Sequence, residues 1–152
     1  MLWMNIINKG GQIMDLVEIK DGLYIGSAID NVQQIIDAHI DVVIDLQGGF
    51  DKPELAWSID SYLYCHLWDL WMFSTLPGSK VERIAKYGWE CWDDGASVAV
   101  HCTAGHNRSA LIVGLILHLS GMAGPDIVKL IQEKREGALS NPVFRKYLEE
   151  LK

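Results

Sequence analysis

A short apolar strand, a polar turn and an apolar helix follow one another between residues 97 and 119, and they constrain this chain most. Ser97-Val98-Ala99-Val100-His101 reads as a buried strand. The helix beginning near Asn107 carries the most apolar run of the sequence, Ala110 to Leu119. Such a pair belongs inside a covered sheet. The rest of the chain supplies the cover. Residues 15–27, DLVEIKDGLYIGS, alternate apolar and polar around Asp21-Gly22 and predict a hairpin. Ile29, Val32, Ile35 and Ile36 recur at helical spacing over 28–39, and 41–46 follows as an apolar strand closed by Gly48-Gly49. Residues 62–67 predict a further strand, leading into Trp68-Asp69 and a loop that ends at Pro77-Gly78.

The pattern then turns helical. Ser79 has the look of an N-cap with Glu82 as its capping-box partner, and Val81, Ile84, Ala85, Gly88, Cys91 and Trp92 share one face up to Gly95. Beyond the central strand and helix, Gly121 to Gly124 mark a turn. Pro125 opens a helix over 125–136 with Ile127, Leu130 and Ile131 inward. A last helix follows Asn141-Pro142, packed by Val143, Phe144, Tyr147, Leu148 and Leu151. Strands alternating with helices, then helices alone, predict an α/β fold with a mostly parallel central sheet flanked by helices.

At 152 residues, without repeats or a Pro/Ser-rich linker, the chain is expected to form a single domain, 1–152. It is expected to carry no docking domain or anchor beside that domain. Thirteen Lys+Arg against twenty Asp+Glu leave a net charge of −7, which argues against holding nucleic acid or anionic lipid by bulk charge. A small, locally basic anion site is untouched by that argument. Cys65, Cys91 and Cys102 are odd in number and fit neither a disulfide framework nor a metal spacing, so a reducing interior is expected. The N-terminus lacks a basic region, and the Ala110–Leu119 run is about half the ~20 residues of a membrane span. A cytoplasmic protein without a membrane partner is the expectation.

The chemistry lies in Val100-His-Cys-Thr-Ala-Gly-His-Asn-Arg-Ser-Ala110, at the carboxyl end of the buried strand, where open α/β sheets bind ligands. A tight loop entering a helix aims successive amides at one anion, aided by the positive helix end. Gly105 lets the loop curl, and Arg108 offers a planar fork for two oxygens of a tetrahedral oxyanion. The surroundings that attract phosphate also favour Cys102 as a thiolate, which can attack a bound phosphorus in line. Amides of Thr103, Ala104, Gly105, His106 and Asn107, with Arg108, would take the equatorial oxygens.

His-Cys-x5-Arg-Ser, here HCTAGHNRS, resembles the cysteine-based protein phosphatases, and most closely their dual-specificity branch. IKDGLYIGS (19–27), VVIDL (42–46) and KREGALSNPVFRKYLEEL, with Arg135 and Asn141-Pro142…Phe144…Leu148, extend the resemblance over nearly the whole chain. It implies a twisted, mostly parallel sheet and a phosphocysteine intermediate on Cys102, with Arg108 on the phosphate. It implies that the Ser109 hydroxyl stabilises the departing thiolate, and that His101 orders the loop and tunes the thiol. Ser109 is also readable as a first-turn helix hydroxyl, and His101 as a buried structural histidine.

Proton transfer needs a carboxyl group. Asp69, which begins a loop 33 residues before Cys102, is the candidate, and Asp60, Asp93 and Asp94 are its rivals. Trp68 and Trp71 beside it frame the substrate mouth or simply pack. Cys65 and Cys91 are readable as core residues or as resolving thiols.

Asn107 departs from the dual-specificity pattern and resembles the RNA 5′-triphosphatases, whereas Ala104 and Ser109 do not. Neutral Thr103 and a partly charged His106 suit an ordinary phosphomonoester. The expected partner is a phosphorylated protein or small phosphomonoester, with no nucleic acid, no metal and no cofactor, acted on by a monomer. An RNA 5′-triphosphate hydrolase and a phosphate-recognition module without turnover are the alternatives.

Overall fold

The computed structural model describes residues 15–29, 31–47, 53–67 and 78–152. Strands β1 (Leu16–Lys20), β2 (Leu23–Gly26), β3 (Val42–Asp45), β4 (Ser61–Tyr64) and β5 (Val98–His101) form a sheet of order β1-β2-β5-β3-β4. β1 pairs antiparallel with β2, as the alternation around Asp21-Gly22 predicts, and Gly22 takes φ +82 in the turn. The other pairings are parallel and place Gly26, His101, Asp45 and Tyr64 in one row at the carboxyl edge.

Helices cover the sheet: α1 (Val32–Asp37), α2 (Gly78–Asp93), α3 (Arg108–Leu119), α4 (Gly124–Lys134) and α5 (Pro142–Glu149). Pleating sends alternate side chains to opposite faces. Val42, Ile44, Val98 and Val100 join the main core with α2 to α5, while Val43 and Ala99 join a smaller core with Ile35 and Leu55. Helix α3 is buried from Ser109 to Leu117, so most of the apolar run sits against the sheet while Leu119 at its end is exposed. No helix among the described residues is long and apolar enough to cross a membrane.

Three local expectations change. The helix expected over 28–39 spans only Val32–Asp37, capped by Asn31 accepting from Gln33 N, because Ala28 N is committed to Thr103 O at 3.0 Å. The strand expected over 62–67 is regular only over Ser61–Tyr64, and beyond it the chain stays bonded to the end of β3, with Cys65 N donating to Asp45 O at 2.8 Å and Leu67 N to Leu46 O at 3.2 Å. Ser79 lies inside α2, which already begins at Gly78, so it is not the N-cap. Asn141 does cap α5: its Oδ1 accepts from Val143 N at 3.0 Å and Phe144 N at 3.4 Å, and the residue is fully buried. Asn141→Ala should therefore lower stability by about 1–2 kcal/mol, read as a lower urea midpoint at unchanged slope.

Candidate active site

The loop from Cys102 to Asn107 leaves the carboxyl end of β5 and enters α3. Its peptide orientations are set from outside. Thr103 O accepts from Ala28 N at 3.0 Å, and His106 O from Leu139 N at 2.8 Å. Between them, Ala104 O accepts from Arg135 Nη2 at 2.8 Å and Gly105 O from Arg135 Nε at 3.1 Å. In a trans peptide the carbonyl and the following N–H point opposite ways. Four consecutive carbonyls tied outward therefore turn the amides of Ala104, Gly105, His106 and Asn107 to the inner side of the loop. That is an anion cradle beside a helix N-terminus.

Gly105 makes the curl affordable. Its φ is +69, and a Cβ there would lie 2.9 Å from the Gly26 carbonyl and 3.0 Å from Arg135 Nη2. Arg135 is 7% exposed and also meets Asp15, Nη1 to Oδ2 at 3.5 Å. It works as a bracket on the loop, a role its place in the closing helices does not announce.

Cys102 is buried, and its Sγ lies 3.3 Å from Ser109 Oγ, itself fully buried. The hydroxyl therefore meets the sulfur besides standing in the first turn of α3. Arg108 is held by main-chain acceptors, Nη1 on Leu67 O at 3.1 Å and on Leu46 O at 3.4 Å. Its Nη2 reaches Thr103 Oγ1 at 3.0 Å, and its buried Nε has no hydrogen-bond partner among the described residues. Nε and Nη2 form one edge of the guanidinium, the geometry that grips two oxygens of a phosphate.

His101 and Asp45 are each 1% exposed, with His101 Nε2 3.0 Å from Asp45 Oδ1. Asp45 also accepts from Tyr62 OH at 2.5 Å and from Gln47 N at 3.0 Å. Burial pushes the Asp45 carboxyl up, but the hydrogen bond and charge of His101, then the Tyr62 and Gln47 bonds, bring it below the usual carboxylate range. Neither Asp45 nor Tyr62 is singled out by the motif. A signal was present: an acidic residue ending a strand that is otherwise Val-Val-Ile.

Two readings shift. Asn107 is 8% exposed, and its side chain is engaged with Ser140 Oγ and with Asn141 N at 2.8 Å. Its side-chain amide thus ties the loop to the α4–α5 connection, a structural role for the residue that resembled the triphosphatase pattern. Burial and the charge of Arg135 push the His106 imidazole down, against an opposing effect of Asp15, which disfavours its charged form.

Asp69, Trp68 and Trp71 lie outside the described residues. The rivals are placed: Asp60 precedes β4, and Asp93 and Asp94 close α2, all exposed and at the amino edge of the sheet, away from Cys102. Cys65 and Cys91 are half-buried against the main core, and burial pushes the Cys65 thiol up despite Lys80. Core packing accounts for both.

The family model for the dual specificity phosphatase catalytic domain matches residues 23–152. The chain belongs to this family. Among curated proteins, protein tyrosine phosphatase type IVA 3 of Bos taurus is 45% identical over 51 residues, 34% of this chain and 30% of that protein. Dual specificity protein phosphatase 15 of Mus musculus is 25% identical over 139 residues, covering 89% of this chain and 57% of that protein. The chain thus covers less than a third of the type IVA relatives it matches. The crystal structure of human DUSP28 superposes with TM-score 0.74 at 19% identity, over 89% of this chain and 90% of its own. A dual-specificity phosphatase catalytic domain accordingly frames the cradle around Cys102.

Proposed function

We propose that this dual-specificity phosphatase family member hydrolyses phosphomonoesters through a phosphocysteine on Cys102, acting on phosphotyrosine and also on phosphoserine or phosphothreonine in proteins. The observation that carries the reading is the loop whose four outward carbonyls leave its amides to one anion, with the buried Cys102 sulfur at its start. In the first step the Cys102 thiolate forms an S–P bond as the ester P–O bond breaks. The leaving oxygen takes a proton from the Asp69 carboxyl. The loop amides and the Nε–Nη2 edge of Arg108 hold the three non-bridging oxygens, matching their charge without reorganisation. In the second step Asp69, now a carboxylate, takes a proton from water as its oxygen attacks phosphorus. The S–P bond breaks, and the Ser109 hydroxyl, 3.3 Å from the sulfur, donates to the departing thiolate.

A neutral His106 and a neutral Thr103 on the loop suit a singly esterified phosphate rather than a polyphosphate. A reaction run through a free thiolate also suits a reducing compartment, and the cytoplasm is our assignment.

Asp69→Asn should lower kcat by roughly a hundredfold on alkyl phosphates and by less on p-nitrophenyl phosphate, whose leaving group needs little protonation. A silent substitution would assign the acid elsewhere. The reading as a whole is tested by a panel of phosphotyrosine and phosphothreonine peptides, phosphoinositides and 5′-triphosphate RNA, with and without chelator. Preference for the peptides, insensitive to chelation, is expected. Turnover confined to triphosphate RNA, or strictly metal-dependent, would reject it.

A further inference from the structure

The Asp45–His101 contact lies beneath the loop, and the reaction steps above make no use of Asp45. β3 ends on Asp45 directly across from His101 on β5. Burying a carboxylate is costly unless it is compensated. Tyr62 OH and the Gln47 amide satisfy part of that demand, and the imidazole at 3.0 Å supplies the remainder. The ring so held belongs to the residue adjoining Cys102. His101 Nδ1 is buried with no partner among the described residues, so the approach of Nε2 to Asp45 is what orients the ring. The backbone is pinned on both sides, with His101 O accepting from Leu46 N at 2.9 Å and Cys102 N donating to Gly26 O at 3.2 Å. A change in the ring is therefore felt at the cysteine rather than absorbed by slack chain.

We infer that Asp45 is a positioning residue for the phosphatase reaction: supported by Tyr62, it holds the His101 ring oriented beneath the loop and thereby sets the pH range in which Cys102 reacts. This rests on the phosphocysteine reading. The titratable and charged groups around the pair are Tyr62 from β4, Cys102 from the loop and Arg108 from α3, whose Nη1 bonds the Leu46 carbonyl next to Asp45. Tyr62 keeps the carboxylate ionised. Without its hydroxyl, the carboxylate loses one of the hydrogen bonds that hold it in place against His101.

The test is the pH profile of iodoacetamide alkylation at Cys102, read on its own peptide by mass spectrometry, together with kcat and KM for p-nitrophenyl phosphate. Asp45→Asn is expected to move the alkylation midpoint up by about one pH unit, which slows alkylation roughly tenfold at pH values well below both midpoints. The acid limb of kcat should move with it, while KM on the alkaline plateau stays near wild type because the cradle is intact. Tyr62→Phe should move both the same way by a smaller amount. Profiles superimposed on wild type, or displaced to lower pH, would overturn the inference even if both variants lost thermal stability. If Asp45→Asn does not fold, the direction seen in Tyr62→Phe decides. Alkylation reads the thiol without any substrate, so an inactive wild type would sink the phosphatase reading and leave this test standing.

Discussion

Cys102→Ser is expected to abolish hydrolysis of p-nitrophenyl phosphate, by roughly a thousandfold or more, while the protein still folds and still binds vanadate. The two outcomes separate because different atoms carry them. The sulfur supplies the nucleophile, whereas the anion is held by loop amides whose carbonyls are tied to Ala28, Arg135 and Leu139. Serine keeps the backbone and a hydrogen-bonding group near Ser109 Oγ but stays un-ionised at neutral pH. Steady-state assays and vanadate titration of the purified variant measure both halves. Retained turnover would remove Cys102 from the mechanism, and lost vanadate affinity would show that the sulfur itself holds the loop in shape.

Arg135→Leu should be the most damaging change away from the reacting atoms. The guanidinium is 7% exposed and donates to Ala104 O and Gly105 O, so leucine strands two carbonyls in a buried place. An unsatisfied buried acceptor costs about 1–3 kcal/mol, and a total of about 2–4 kcal/mol is expected in urea denaturation. Freed carbonyls also let the adjoining peptides rotate, and misplaced amides should lower kcat/KM by roughly a hundredfold. Asp15→Asn is the control. Its carboxylate is 55% exposed and 3.5 Å from Arg135, so its loss should cost under about 1 kcal/mol and leave turnover near wild type. Equal effects from the two variants would mean that the ion pair, rather than the bracket, matters.

Much of the fold was legible in the sequence because it is written in local pattern. The hairpin at 16–26, the buried strand at 98–101, the apolar α3 and the Asn141 cap follow from alternation, helical spacing and turn chemistry. Ser79 shows where local pattern fails: a hydroxyl three residues before Glu82 fits a capping box, yet α2 begins at Gly78 and takes Ser79 inside. The helix that starts late at Val32 fails for another reason, since Ala28 is drawn to Thr103, which is 75 residues away along the chain.

The sequence by itself determined the candidate nucleophile loop, because Cys102, Gly105, Arg108 and Ser109 sit within eight consecutive residues at the spacing the proposed chemistry needs. It also determined that this loop would leave a buried strand and enter a buried helix. What only the tertiary structure decided is what surrounds the loop. The side chain of Asn107, the residue that resembled the triphosphatase pattern, turns to Ser140 and Asn141. Arg135 reaches back 30 residues to Gly105, and Asp45 meets His101 because parallel register puts the ends of β3 and β5 side by side. A chemical motif is local and survives in the sequence. The partners that orient it are chosen by sheet register and helix packing, which join residues that no spacing along the chain connects.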